Sequence, residues 1–287
     1  MHLAKTFTYC SLLFIAALIY SCGTKKDEPA LFRVLQHERT GLNFVNRLNP
    51  TPQFNMFKYM YFYNGAGVGA GDLNNDGKID LFFASNQGEN KLFLNKGNLL
   101  FSDVSRQANI PQDNGWSTGV SIVDINNDGL LDIYICRVGN FETLKAKNQF
   151  LVCEGISANG VPFYIDRASE LGLDFSGFST QAAFFDYDMD GDLDAYLLNH
   201  SVHQNGTFAA RQTFLNTFHP LTGDRLFRNE DGHFADATKE AGINSSAIGY
   251  GLGICVSDIN LDGYPDVYVG NDFHENDYLY INQRNGT

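Results

Sequence analysis

DLNNDGKID at 72–80, DINNDGLLD at 124–132, DYDMDGDLD at 186–194 and DINLDGYPD at 258–266 are four copies of one acidic nonapeptide, D-x-[DN]-x-D-G-x-x-D. A motif repeated at intervals of roughly 50 to 70 residues decides architecture before any single residue does. Oxygen side chains at positions one, three and five, a backbone carbonyl near seven and a carboxylate at nine can wrap a hard cation. The glycine at six permits the sharp turn between them. The candidate ligands are Asp72, Asn74, Asp76 and Asp80; Asp124, Asn126, Asp128 and Asp132; Asp186, Asp188, Asp190 and Asp194; and Asp258, Asn260, Asp262 and Asp266. Calcium is the expected ion, at about four per chain by this chemistry.

The loops resemble the first half of an EF-hand. The glutamate expected at position twelve is replaced by Phe83, Ile135, Leu197 and Val269, so EF-hand helices are not expected. Asp, Asn and Gly favour turns on their own, and one such loop would read equally well as a solvated turn. Four complete sets favour the metal reading.

The surroundings repeat as well. A Gly-rich or apolar strand leads into each loop (YNGAGVGAGD, STGVSIVD, TQAAFFD, YGLGICVSD), and a second leaves it (IDLFFASN, LDIYICRV, LDAYLLNH, PDVYVGND). A third follows at KLFLNKG, QFLVCEG, DRLFRNE and DYLYINQ, and a fourth at FSDVS, FYIDRAS and FADATK. The expectation is an all-β fold whose units are propeller blades of four antiparallel strands. With these loops the chain resembles the FG-GAP or VCBS repeat proteins, typified by the propeller of integrin alpha subunits. NGAGVGAGDLNNDG and STQAAFFDYDMDGDLD are closer still to bacterial VCBS proteins with an ASPIC/UnbV-type region. The resemblance implies a ring of about seven blades, of which this chain would be an arc. FRVLQHERTGL at 32–42 is similar to the fourth strand and turn of the other units, and could instead close a smaller ring.

Residues 1–22 read as a signal segment, 23–30 as a linker and 31–287 as one propeller domain. An apolar stretch from Phe7 to Tyr20 ends at Ser21-Cys22-Gly23, which resembles a lipoprotein signal with Cys22 as the lipidated residue. The Lys26-Asp27-Glu28 run after it resembles the export signal of surface lipoproteins. Together they imply a bacterial outer-membrane lipoprotein, possible at the cell surface and held to the membrane by its lipid. The net charge of -13 excludes nucleic acid as a partner, because clustered Lys and Arg are absent. Cys136, Cys153 and Cys255 remain, and burial as small apolar side chains is expected, although a Cys136–Cys153 disulfide would be compatible with an oxidising envelope.

In antiparallel blades the acidic loops share one face, and the connections between second and third strands share the other. Two of those, 137–148 and 201–223, are long, and long loops on a rigid scaffold tend to carry function. Trp116, Phe141, His203, Phe208, Phe214 and Phe218 are therefore the candidate surface for a protein or glycan ligand. No catalytic motif is present, and His200 and His219 read as loop histidines bonded to backbone. A binding scaffold is the expectation. The alternative is a carbohydrate-active enzyme similar to polysaccharide lyases on calcium-bearing propellers.

Overall fold

Small residues let the first strand of one unit approach the next. A Cβ on Gly69 would lie 2.7 Å from Ile122 Cδ1, and one on Gly67 would lie 2.6 Å from the Val120 nitrogen. This close approach is why YNGAGVGAGD is rich in glycine. The computed structural model describes residues 31–201, 210–273 and 275–286, and those from His37 onward form one unit.

The first blade is β1 (Val68–Gly71), β2 (Asp80–Phe83), β3 (Lys91–Asn95) and β4 (Phe101–Asp103). The second is β5 (Trp116–Val123), β6 (Asp132–Val138), β7 (Gln149–Ile156) and β8 (Pro162–Asp166). The third is β9 (Ser179–Phe185), β10 (Asp194–Asn199), β11 (Arg225–Glu230) and β12 (His233–Asp236). The fourth is β13 (Gly251–Ser257), β14 (Asp266–Asn271) and β15 (Tyr278–Tyr280). Each is an antiparallel sheet with neighbours in chain order, and the four are arranged as the blades of a β-propeller. Blade 4 has three strands among the described residues, as the three fourth-strand segments of the sequence imply. Residues 31–36 form no strand, and His37–Thr40 is a short helical turn.

Three apolar clusters join successive blades. Leu92 and Leu94 meet Ile133, Ile135 and Tyr164 between blades 1 and 2. Tyr134 and Phe150 meet Ala195, Leu197, Phe227 and Phe234 between blades 2 and 3. Tyr196, Leu198 and Leu226 meet Val267 and Val269 between blades 3 and 4. A strand covered on both faces should be apolar throughout rather than alternating. Accordingly, β6 and β10 are buried along their whole length. Blade 4 keeps one face open: Leu252, Tyr268 and Leu279 are 43%, 41% and 53% exposed. The seven-blade expectation concerns polypeptide beyond these four blades.

The β6–β7 register pairs Ile135 with Gln149 and Ile133 with Leu151. Cys136 and Cys153 therefore lie toward opposite ends of the pair. Both are buried free thiols, and Cys255 is an exposed one.

Candidate metal loops and the opposite face

All four acidic loops fold the same way because the backbone is tied to the carboxylates. The position-one aspartate accepts the N–H of position five through Oδ1, at 3.0, 3.1, 3.1 and 2.9 Å for Asp72, Asp124, Asp186 and Asp258. Through Oδ2 it accepts the N–H of the position-six glycine, at 2.8, 2.9, 3.0 and 2.8 Å. Asp76, Asp128, Asp190 and Asp262 then accept the N–H of position seven. The turn needs left-handed backbone twice, at the glycine and at position four, where Asn75, Asn127, Met189 and Leu261 have φ of 55, 54, 64 and 61°. Asn tolerates that conformation, whereas Met and Leu hold it under strain.

The position-nine aspartates do a different job. Asp80, Asp132, Asp194 and Asp266 are buried at the start of the second strand. One oxygen of each accepts the N–H of position two, from Leu73, Ile125, Tyr187 and Ile259. The other accepts an N–H from the third strand or the residues just after it, from Asn95, Cys153, Asn229 and Asn282 at 2.7, 2.8, 2.8 and 2.9 Å. They therefore lock the loop to the blade. Burial pushes the carboxyl of Asp132 up to about 6 and that of Asp194 up to about 7, against the opposing pull of these N–H groups.

Several loop oxygens are left without a hydrogen bond. Asn74 Oδ1, Asp188 Oδ1 and Asp192 Oδ1 are shielded from solvent and accept nothing, and buried polar atoms are ordinarily paired. In the third loop, ligand oxygens of Asp186, Asp188 and Asp194 lie within 4.8 Å of one another. An oxygen-only, carboxylate-rich donor set of this kind suits a hard divalent cation. In loops 1, 2 and 4 the position-three Asn amide donates to the position-five Asp, at 3.4, 2.9 and 3.1 Å. Cations also approach there: Lys78 lies 3.1 Å from Asp76, and Arg284 3.0 Å from Asp262. The third loop thus concentrates the negative charge, with five aspartates.

The opposite face differs from its sequence reading. Trp116, at the start of β5, is 1% exposed, edge-on to Phe54 at 4.9 Å and near Tyr59 at 5.7 Å and Phe62 at 5.1 Å. Phe141 contacts Phe178 and Tyr59 at 5.0 and 6.2 Å, and Phe214 packs against the same cluster. Trp116 is structural in this arrangement and presents no open contact surface, whereas Phe141 and Phe214 are partly exposed at the margin of the cluster. The reason is the segment QFNMFKYMYFY at 53–63, whose Phe54, Tyr59, Tyr61 and Phe62 lie over the entrances of β5, β9 and β13. Its aromatic density was the available signal. Of the remaining candidates, Phe218 is 70% exposed, while His203, Phe208 and Cys22 lie outside the described residues.

His200 belongs to this cluster as well. It is buried between Phe178, stacked at 4.7 Å, and Tyr61 at 4.7 Å. Nδ1 lies 2.9 Å from the Ser201 carbonyl and Nε2 3.0 Å from the Tyr59 hydroxyl. A carbonyl cannot donate, so Nδ1 carries the proton and Nε2 accepts from Tyr59. Burial holds its pKa down to about 4, leaving it neutral. His219 Nδ1 accepts the N–H of Leu221, as expected of a loop histidine.

A second repeated feature escaped the sequence reading. Asn90, Asn148, Asp224 and Asp277 stand immediately before or at the start of the third strands, and each accepts a backbone N–H from the end of the second strand, from Ser85, Arg137, Asn199 and Asn271. Its signal was an Asn or Asp preceding KLF, QFL, RLF and YLY.

Comparison with known proteins agrees with this geometry. Residues 72–135, which run from the first acidic loop through most of β6, match the model of an FG-GAP-like repeat. That stretch is an FG-GAP-like repeat. The chain is also similar to cartilage acidic protein 1 of Mus musculus, 27% identical over 205 residues, covering 71% of this chain and 28% of that protein. With the Xenopus tropicalis protein of that name it is 27% identical over 211 residues, 72% of this chain and 29% of the relative. The human protein matches at 32% over 72 residues, 25% of this chain and 11% of the relative. The chain thus spans less than a third of the curated relatives it matches.

Proposed function

We propose that this FG-GAP-like propeller is a calcium-stabilised scaffold, held at the bacterial cell envelope by a lipid on Cys22, that binds a protein or glycan ligand without chemical catalysis. The observation that carries the metal reading is the shielded, unbonded oxygens of Asn74 and Asp188 together with the convergence of Asp186, Asp188 and Asp194. Calcium would accept those lone pairs and offset the crowding of carboxylates, so metal binding and stability are coupled. In each loop the ligands would be positions one, three, five and nine, with the carbonyl of position seven.

The ligand is assigned to the face opposite the loops. Phe218 remains exposed there, and a polar cleft of about 380 Å³ involves Asp113, Arg137, Lys145, Lys147 and Asp174. Arg137 is buried and holds Asp113 through two bonds of 3.0 and 2.9 Å, a rigid floor for recognition. His200 is buried with Nε2 already bonded to the Tyr59 hydroxyl, out of reach of a substrate proton, which disfavours it as the base of an enzyme reading.

Calcium titration of residues 23–287 by calorimetry, with unfolding followed with and without chelator, tests the proposal. About four ions and a marked rise in Tm are expected from the loop count. Unchanged melting with chelator would reject the metal role. A Cys22→Ser chain that stays in the membrane fraction would reject the lipid anchor.

A further inference from the structure

The polar cleft of about 380 Å³ opposite the acidic loops lies between the 137–148 connection, the end of β8 and the stretch that leads into β5. Its size is that of a small-molecule site. Six ionic side chains line it, and four of them are paired with one another. Arg137 holds Asp113 through both terminal nitrogens, and Lys147 pairs with Asp174. Lys145 and Asp166, both exposed, have no ion pair among the described residues. The Asp166 carboxylate is fixed by the backbone, since its Oδ1 accepts the N–H groups of Phe150 and Ala168, each at 3.1 Å. The cleft therefore offers one free cation and one free anion.

Its floor is built for polar contact. Gly115 leaves room for the Arg137 guanidinium, because a Cβ there would lie 1.2 Å from Nη2. The β6–β7 register, which pairs Ile135 with Gln149, makes Arg137 and Gln149 diagonal neighbours on one face of blade 2. They are 4% and 6% exposed, and Arg137 Nε and Gln149 Oε1 are buried with no hydrogen-bond partner. Buried polar atoms are ordinarily paired. Here one lacks an acceptor and the other a donor.

We propose that this cleft binds a free α-amino acid as its zwitterion. Lys145 takes the carboxylate and Asp166 the ammonium, and the same two groups of the ligand supply the acceptor and the donor that Arg137 and Gln149 lack. A ligand of single charge would leave Lys145 or Asp166 unmatched. A sugar would find no aromatic face for its C–H surface, since Ala146 and Ala168 are the only apolar residues lining the cleft. The inference rests on the assignment of ligand recognition to this face, and narrows it at the cleft to a small zwitterion.

The test titrates the full chain, with calcium present, against each of the twenty L-amino acids, and against glucose and galactose, by calorimetry. Saturable binding of at least one amino acid is expected. It should weaken at least tenfold when that amino acid is N-acetylated or converted to its methyl ester, and likewise in Lys145→Ala and Asp166→Asn chains whose own Tm is unchanged. Lys145 is exposed, and an Asn oxygen at 166 still accepts the two N–H groups, so both variants keep the fold. No saturable binding of any amino acid, or equal binding by the blocked derivatives or by both variants, would overturn the proposal. Binding of a sugar in place of every amino acid would overturn it while upholding a glycan ligand at this face.

Discussion

On the face of the acidic loops each blade repeats one set of hydrogen bonds with its own residues, whereas on the opposite face the blades contribute unlike residues to a single shared cluster. The loops are local: the bonds from positions one and five close within five residues, and the position-nine carboxylates reach only their own blade. The opposite face is collective. Trp116, Val138, Phe178, Ile248 and Tyr250 come from three blades and meet on the 54–62 segment. Only a few side-chain bonds, such as Asn74 to the Gly160 carbonyl and Asn75 to the Gly129 carbonyl, tie a loop to the next blade, so damage to one loop should fall mainly on its own blade, and damage to the cluster should loosen several blades together.

The comparison is broken most severely by removing metal. Chelation is expected to remove about 2.7 kcal/mol for each site held at a hundredfold excess over its Kd. Asp186→Asn with Asp190→Asn should abolish one of the four proposed sites and lower Tm while calcium still binds the other three, as read by calorimetry. Loss of all binding would show that the loops are not independent.

Trp116→Ala is expected to cost about 3–5 kcal/mol in denaturant unfolding, because a fully buried indole leaves a cavity shared by several rings. Calcium stoichiometry should not change. A cost below about 1 kcal/mol would place the cluster outside the cooperative core.

Asp224 and Asn148 sharpen the contrast between blades. Asn148 accepts the Arg137 N–H and donates to the Tyr134 hydroxyl, whereas Asp224 accepts both the Asn199 N–H and the Tyr196 hydroxyl. Burial pushes the Asp224 carboxyl up to about 7 from its ordinary value of 3.8. Between those values the folded state holds a proton that the unfolded state has lost, so this group's contribution to stability is retained below about 4 and lost as pH rises through about 7. Asp224→Asn, borrowing the arrangement of blade 2, should gain on the order of 2 kcal/mol at pH 8 and nothing near pH 4. An equal change at both pH values would assign the effect to packing.

Smaller effects are expected at exposed positions. Leu261 is 88% exposed and held at φ 61°, so Leu261→Asn should stabilise by about 1 kcal/mol. Phe218→Ala should change stability by no more than about 0.5 kcal/mol. If the opposite face takes the ligand at Phe218, that substitution weakens binding while leaving the melting curve in place.

Much of the fold was legible because its information is short-range. D-x-[DN]-x-D-G-x-x-D specifies its own turn through carboxylate-to-amide bonds, and the apolar runs after each loop specify strands, so blades, chain order and the shared loop face followed from residues alone. The reading of Trp116 as part of a contact surface went astray because position on a face does not determine exposure. Whether an aromatic side chain faces solvent depends on what another part of the chain lays over it, here the 54–62 segment.

The sequence by itself determined the repeat, the oxygen-only donor sets and the order of the strands, all of which arise from patterns within one blade. Only the tertiary structure decided that the position-nine aspartates are buried struts and that His200 is a neutral core residue. Each of those depends on which strands and segments come together, within a blade for the aspartates and beneath the 54–62 segment for the histidine, and side-chain chemistry cannot set that until the chain has folded.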